Sequence, residues 1–394
     1  MKKVLTAGAA LLLTTSIAQA GGLDRSGQGV GIIFEEGNVV QLSFGYVTPE
    51  VTGETAFELP GAFPLGASSG NMAEDYLQFG GGIKYAYNDR VDLALIFDQP
   101  FGANVSYSGA DAGYYTGAVA AEVSSSAITA IGRYKVDDNF SVHGGLRLQT
   151  VQATVEKPFP FQYKIESEDS TGVGFVLGAA YEIPAIALRV AVTYNSKIKH
   201  DIKASESCVV VDPATLFAPP PTVVYTCNAA SQTTELETPE SINVDFQTGI
   251  AEDTLLFGSV RYAKWTQFNF APPEHLIAFQ GDSLQSYDED TFAYTLGLGR
   301  RFSDTFSGAI SVGYEAEQGG FSGNFAPTDG NLSLGVGGTY TAADYEVTAG
   351  IRYIMLGDAD TEAPGLSPAL IGEVGAEFRD NTAIGFGMQI SRSF

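Results

Sequence analysis

The chain has 394 residues, only 17% of them charged, with 46 acidic against 21 basic side chains and a net charge of −25. That balance excludes nucleic acid and anionic lipid headgroups as partners of the whole surface. It suits acidic, solvated loops that can attract divalent cations. No stretch after residue 20 reaches roughly 18 uninterrupted apolar residues, so no membrane helix is predicted.

The N-terminus reads as a secretory signal peptide over residues 1–20. Lys2 and Lys3 precede a short apolar run from Leu5 to Leu13, and Ala18-Gln19-Ala20 is a small-x-small cleavage site. The run is too short to span a bilayer, which takes about 20 apolar residues. Neither a twin arginine nor a cysteine after the cleavage site is present, so Tat export and a lipid anchor are not indicated. Next comes a Gly-rich segment, 21–37 (GGLDRSGQGVGIIFEEG). It has no strand partner, so it is either a hatch tucked into a lumen or a periplasmic tail. Its GQGVG run lacks the preceding strand and following Lys-Ser/Thr of a phosphate loop.

From Val39 the pattern alternates with period two. Leu332, Leu334, Val336 and Tyr340 share one face, and Ser333, Gly335, Gly337 and Thr339 the other. Tyr345, Val347, Ile351 and Tyr353 repeat this, with Thr348, Gly350 and Arg352 behind them. Such strands have one apolar face and one small, polar face. Tight turns (Asn88-Asp89, Asp137-Asp138-Asn139, Glu252-Asp253, Ser303-Asp304) alternate with long loops, the largest at 204–237. Short turns on one side and long loops on the other are the pattern of an outer-membrane barrel. Strands are predicted near 38–50, 75–88, 91–107, 121–135, 139–156, 166–183, 186–203, 238–251, 254–270, 288–302, 305–317, 329–341, 344–357 and 382–394. The expected fold is an all-β, transmembrane antiparallel barrel of about fourteen strands over 38–394, in a Gram-negative outer membrane. Residues 369–379 also alternate; an even count assigns them to a long outer loop or to an extension of the last strand. The terminal Phe394 resembles the signal read by the barrel-assembly machinery. Outer-membrane lipid and lipopolysaccharide are the surrounding partners.

Three features bear on function. Strand three contains Gln99-Pro100-Phe101-Gly102. Proline removes a ladder donor and belongs at edges or bulges, while lipid cannot satisfy freed backbone groups. Pro100 is therefore a kink, either a side opening in the wall or part of an extracellular extension. Alternation also turns Lys84, Arg133, Lys135, Arg147, Arg189, Arg261, Arg301 and Arg352 inward. These cations either pair with lumenal Asp92, Asp245, Glu315 and Glu346 or meet a ligand carboxylate. Third, Cys208 and Cys227 share one proline-rich stretch of an exported chain, and a disulfide is expected. His143, His200 and His275 form no catalytic or metal-ligating spacing, so neither an enzyme nor a cofactor is expected. The runs Asp288-Glu289-Asp290 and Asp358-Ala359-Asp360 read as solvated loop carboxylates sooner than as calcium ligands.

Residues 238–270 (TPESINVDFQTGIAEDTLLFGSVRYAKWTQFNF) resemble the long-chain fatty-acid transporter (FadL) family, through Pro239, Ser241, Trp265 and Phe268. The hairpin at 292–314, the FDQPFGANVSY strand at 97–107 and the Gly-rich start are similar as well. One departure is that no Asn-Pro-Ala element precedes Val39. The resemblance implies a 14-stranded barrel plugged by a hatch, with hydrophobic ligands captured outside and released sideways at the third strand. On this reading the chain takes up long-chain fatty acids or similar hydrophobic compounds passively. Phe57, Leu59, Phe63, Leu65, Leu216, Phe217, Leu276, Ile277 and Phe279 are the capture candidates. The lumenal cations meet the head group, and Pro100, Phe101 and Gly102 shape the exit. The alternatives are a general diffusion porin for hydrophilic solutes and a structural or adhesive surface barrel.

Overall fold

A computed structural model describes residues 23–158, 162–212, 215–216, 220–227, 231–364 and 370–394. The signal-peptide reading and Phe217 lie outside the described residues. Fourteen strands form the wall. They are β1 (Val39–Glu50), β2 (Tyr76–Asn88), β3 (Val91–Asp98 and Gly102–Ser106), β4 (Ala120–Lys135), β5 (Phe140–Lys157), β6 (Tyr163–Ser167 and Ser170–Ile183) and β7 (Leu188–Asn195 and Ile198–Ser207). The remainder are β8 (Gln232–Thr238 and Ser241–Ala251), β9 (Thr254–Ala263), β10 (Thr291–Arg301), β11 (Phe306–Glu315), β12 (Asn331–Ala342), β13 (Tyr345–Leu356) and β14 (Thr382–Ser393). Each pairs antiparallel with its neighbours in sequence, and β14 pairs β1, from Val39↔Ser393 to Glu50↔Thr382. The Phe394 amide then donates to Asn38 O at 3.1 Å. Closure leaves no sheet edge, which is what the lipid phase requires of a spanning sheet. No helix among the described residues is long and apolar enough to cross a membrane.

The predicted alternation sets the two faces. Leu334, Val336, Ile351 and Tyr353 are exposed on the outside, while Ser333, Thr339, Thr348 and Arg352 are buried inside. Inward hydroxyls satisfy each other, as in Thr339–Thr348 at 2.7 Å. Val374–Phe378, within the ambiguous 369–379 stretch, lies outside the barrel. It joins Gly53–Thr55, Ala359–Glu362 and Phe321–Ser322 in a small sheet over the outer mouth. A helix, Pro273–Ala278, and a hairpin of Val209–Val211 with Val223–Thr226 complete this cap. Cys208 and Cys227 close the hairpin as a disulfide.

Four strands are broken, β6 between Ser167 and Ser170 among them. In β7 and β8 the breaks coincide: Asn195 faces Ser241 and Ile198 faces Thr238, so two residues on each strand bend together. Pro239 marks that bend. The break in β3 has no matching break in β2, and the wall parts there.

Candidate functional site: the gap between β2 and β3

β2 and β3 pair from Asn88↔Val91 as far as Gly81↔Phe97 and then separate. Contact resumes only at the Ala73–Val105 bridge. Over Tyr76–Gly80, β2 keeps its β1 partner and loses its β3 partner. On the other side β3 never leaves β4. Asp98 faces Ala127, Gly102 faces Ser124, and the Ser125 hydroxyl spans the break by contacting Phe101 N at 2.8 Å and Phe101 O at 2.7 Å. Pro100, Phe101 and Gly102 thus sit at a one-sided opening.

Backbone groups freed in an apolar wall must find other partners. The Gln99 side chain takes one, accepting from Phe79 N at 2.7 Å. Gln78 Nε2 donates to Gln99 O at 3.4 Å, and the hatch takes others. Pro100 O accepts from Arg25 N at 2.8 Å, Gly102 N donates to Leu23 O at 2.8 Å, and Asp24 bridges Phe101. Side chains add to this seam, with Ser26 Oγ donating to Asp98 Oδ2 at 2.6 Å and Arg25 Nη2 to Asn104 Oδ1 at 2.9 Å. The Arg25 guanidinium also lies 3.8 Å from the Tyr76 ring centre. A Cβ on Gly102 would stand 2.7 Å from Arg25 Cζ, so a larger residue there would displace the guanidinium.

The rest of the hatch fills one side of the lumen. Gly31–Phe34 is a short 3-10 turn whose Ile32, Ile33 and Phe34 pack on Ala94, Ile96, Ile131 and Val176. Arg261 holds its start. It pairs with Asp24 at 2.6 Å and donates to Gly27 O at 3.1 Å, Ser241 Oγ at 3.0 Å and Asn243 Oδ1 at 2.8 Å. Between hatch and wall is a cavity of about 170 Å³. Lumen-facing Gln41, Ser43 and Asp98 line it together with lipid-facing Phe44, Phe79 and Phe97. The cavity therefore lies at the place where β2 and β3 part.

The lumenal cations differ in what neutralises them. Lys84 pairs with Asp92 at 2.8 Å and donates to Glu35 O and Gly37 O. Lys135 reaches the same carboxylate at 3.1 Å, and Arg133 pairs with Glu182. Arg301 pairs with Asp253 at the periplasmic turn. Arg189 donates to Gln247 at 3.1 Å and lies 5.0 Å from the Phe34 ring. Arg147 has only neutral acceptors, Thr129 at 2.8 Å and Asn195 at 3.1 Å, and its Nη2 has no hydrogen-bond partner. Arg352 is 5% exposed, its Nη2 is likewise unpartnered, and it makes no ion pair among the described residues. Alternation placed all of these inside; it could not sort paired from unpaired.

Of the family-pattern residues Pro239, Ser241, Trp265 and Phe268, two touch this site directly. The Ser241 hydroxyl donates to Gln28 at 3.0 Å, and the buried Trp265 packs 5.8 Å from Phe101. Phe268 lies 5.9 Å from Trp265 in the same aromatic cluster. The capture candidates divide. Phe57 and Phe63 are buried inside the cap, 6.0 Å apart, whereas Leu65 and Ile277 are exposed. Sequence reasoning missed Leu23, Asp24, Arg25 and Ser26, whose hydrogen-bond partners in the wall lie 72 residues or more away. No local pattern could have revealed them. Among the described residues no group of His, Cys, Asp and Glu could hold a metal ion. Asp358 and Asp360 are instead occupied by Arg379, and Asp290 by Tyr262 and Thr266.

The family profile described as outer membrane protein transport protein (OMPP1/FadL/TodX) matches residues 32–394. The chain belongs to this family. Its members are outer-membrane channels for hydrophobic compounds, not enzymes, so the barrel lies in the Gram-negative outer membrane. No curated protein matches the sequence. Among solved structures, a Pseudomonas aeruginosa FadL homologue gives a TM-score of 0.73 at 16% identity over 92% of each chain. The P. putida toluene transporter TodX gives 0.62 at 12% identity over 91% of each. The Ralstonia pickettii toluene transporter TbuX gives 0.58 at 11%, over 92% of this chain and 90% of that one. At these identities the likeness is one of fold.

Proposed function

We propose that this channel takes up acidic amphiphiles such as long-chain fatty acids passively and releases them sideways, through the β2–β3 gap, into the membrane. The observation that carries the reading is the cavity lined by both faces of the wall. A hydrophilic porin has no use for such an opening, since its solute leaves along the barrel axis. A hydrophobic solute gains by entering lipid directly, about 0.8 kcal/mol for each methylene removed from water. The hatch blocks the axial route beside the gap, and its backbone is what occupies the gap. Release then requires Leu23–Ser26 to leave β3.

The preference for an acid rests on Arg352 and Arg147, the two buried guanidiniums without carboxylate partners. A ligand carboxylate supplies the missing anion. A second reading has its own support: the cavity is close in size to an apolar site of about 150 Å³ that accepts benzene, and structural neighbours are described as toluene transporters. Uptake of a labelled long-chain fatty acid and of toluene, with and without the gene, separates these. Uptake independent of the gene for both compounds overturns the transport reading. Arg352→Met is expected to lower fatty-acid uptake while sparing toluene; equal loss of both removes the head-group role.

A further inference from the structure

The lipid-facing wall carries a groove where side chains are missing. On β4 and β5, Gly132 and Gly144 stand directly opposite each other, with Leu93 of β3 and Leu177 of β6 as their outer neighbours. Elsewhere this surface is studded with large apolar groups, including Leu95, Ile128, Leu146 and Phe175. The glycine pair opens a depression of about 480 Å³, walled by Val91, Tyr134, Val142 and Leu177.

Its level in the membrane follows from the strand ends. Gly132 and Gly144 lie within a few residues of the turn that joins Lys135 to Phe140, on the short-turn, periplasmic side. Exposed Tyr87, Tyr134, Phe140 and Tyr181 mark the aromatic girdle at that interface. Just beyond it Arg90 and Asp89 occupy one turn, Asp137 and Asp138 the next, all exposed. The two turns are neighbours, because Lys135 N donates to Arg90 O at 2.8 Å. One cation among three carboxylates favours a head group with both a phosphate and an ammonium. It opposes one bearing only negative charge.

We propose that this groove is a binding site for one acyl chain of an amine-bearing, zwitterionic phospholipid of the periplasmic leaflet. The chain lies over Gly132 and Gly144. The phosphate meets Arg90, and the ammonium meets the carboxylates beside it. The site shares no lining residue with the cavity at the β2–β3 gap; on the lumenal side, Arg133 and His143 of its lining meet Phe34 of the hatch.

The test uses the full mature barrel in nanodiscs of phosphatidylethanolamine and phosphatidylglycerol, moved to mild detergent, with retained lipid measured by mass spectrometry. The wild type is expected to retain phosphatidylethanolamine above its bulk proportion. Gly132→Phe should lower retention about tenfold, the change expected for roughly two methylene groups losing contact. Gly132→Ala, whose Cβ meets Leu93 Cδ2 at an ordinary 3.5 Å, keeps the fold and should lose part of the bound lipid. Equal retention by wild type and both variants overturns the site. Preferential retention of phosphatidylglycerol, or a lipid-free dimer contacting through this face, overturns it as well.

Discussion

The wall has two gaps, and they are closed by different means. Between β2 and β3 the ladder stops and a separate piece of chain, Leu23–Ser26, supplies the missing bonds. Between β6 and β7 the ladder also lapses. It holds from Asn195↔Val176 down and resumes at Ala204↔Ser167, leaving Ser170–Gly174 outside the β7 ladder. There the strands close the gap themselves. Ile198 and Ser196 press on Gly174, Ile198 and His200 on Gly172, and the Ser196 hydroxyl accepts from Phe175 N at 2.9 Å. A gap filled by its own strands opens only if the strands move. A gap filled by a tethered segment needs only that the segment depart, and this gap borders the cavity between hatch and wall.

The largest expected effect tests whether the hatch must leave. Cysteines at Ser26 and Asp98, whose side chains touch at 2.6 Å, can be joined by a short thiol cross-linker. Uptake is expected to fall about tenfold or more, as a barrier rise of roughly 1.4 kcal/mol or above requires. Unchanged uptake in the cross-linked barrel would place the exit elsewhere and dissolve the contrast.

Next is the anchor. Arg261→Met leaves Asp24 buried without its cation, a change that costs about 3 to 5 kcal/mol when one partner of a buried pair is lost. That cost falls on the seated hatch rather than on the barrel, whose ladder Arg261 does not support. Conductance in planar bilayers should rise, while heat-modified mobility of the folded barrel stays the same. A closed channel in Arg261→Met would mean that Leu23–Ser26 is held by its bonds to β3 alone.

How the two gaps read in the sequence follows from their chemistry. Pro100 announces the first, because proline in a closed ladder needs a cavity or water nearby. Nothing announces the second. Ser196, Lys197, Glu168 and Asp169 are ordinary residues, and Gly172 and Gly174 look like any small lumenal positions. Barrel, strand count, disulfide and inward cations were legible because alternation and turn length are local. The bonds of Asp24 to Arg261 and Ser26 to Asp98 were not, since they join segments that meet only after closure. Pro239, read as part of a family pattern, proves to mark a paired bend with Ser196 and Lys197 instead of an opening.

A third prediction weakens the second plug. Ile198→Ala removes a side chain that is 1% exposed and wedged against both glycines. The loss expected for such a truncation is about 2 to 5 kcal/mol, read as a lower midpoint in urea-driven unfolding. Uptake should be unchanged. If Ile198→Ala restored uptake to the Ser26–Asp98 cross-linked barrel, the second gap would serve as an exit too.

The smallest effect concerns the cap above the second gap. The Pro273–Ala278 helix is seated by His275 N, which donates to Glu206 Oε2 at 3.1 Å, and by the His275 ring, 4.9 Å from Tyr163. Glu206 lies near the end of β7 and Tyr163 begins β6, so this helix ties together the strands that part below it. Burial, reinforced by the charge of Lys157, holds the His275 pKa down at about 3 against 6.5 in the unfolded chain. Between those values the unfolded cap binds a proton that the folded cap does not. The stability His275 contributes is therefore complete above pH 6.5 and declines as pH falls toward 3. Hydrogen exchange of residues 273–278 should quicken from pH 7.5 to pH 5, after correction for intrinsic rates, and Leu23–Ser26 should not follow. His275→Gln should remove the pH dependence of the helix. If the hatch loosened in step with the helix, the two gaps would be coupled through the cap, and the separation between a tethered plug and a self-closed seam would hold for their architecture but not for their motion.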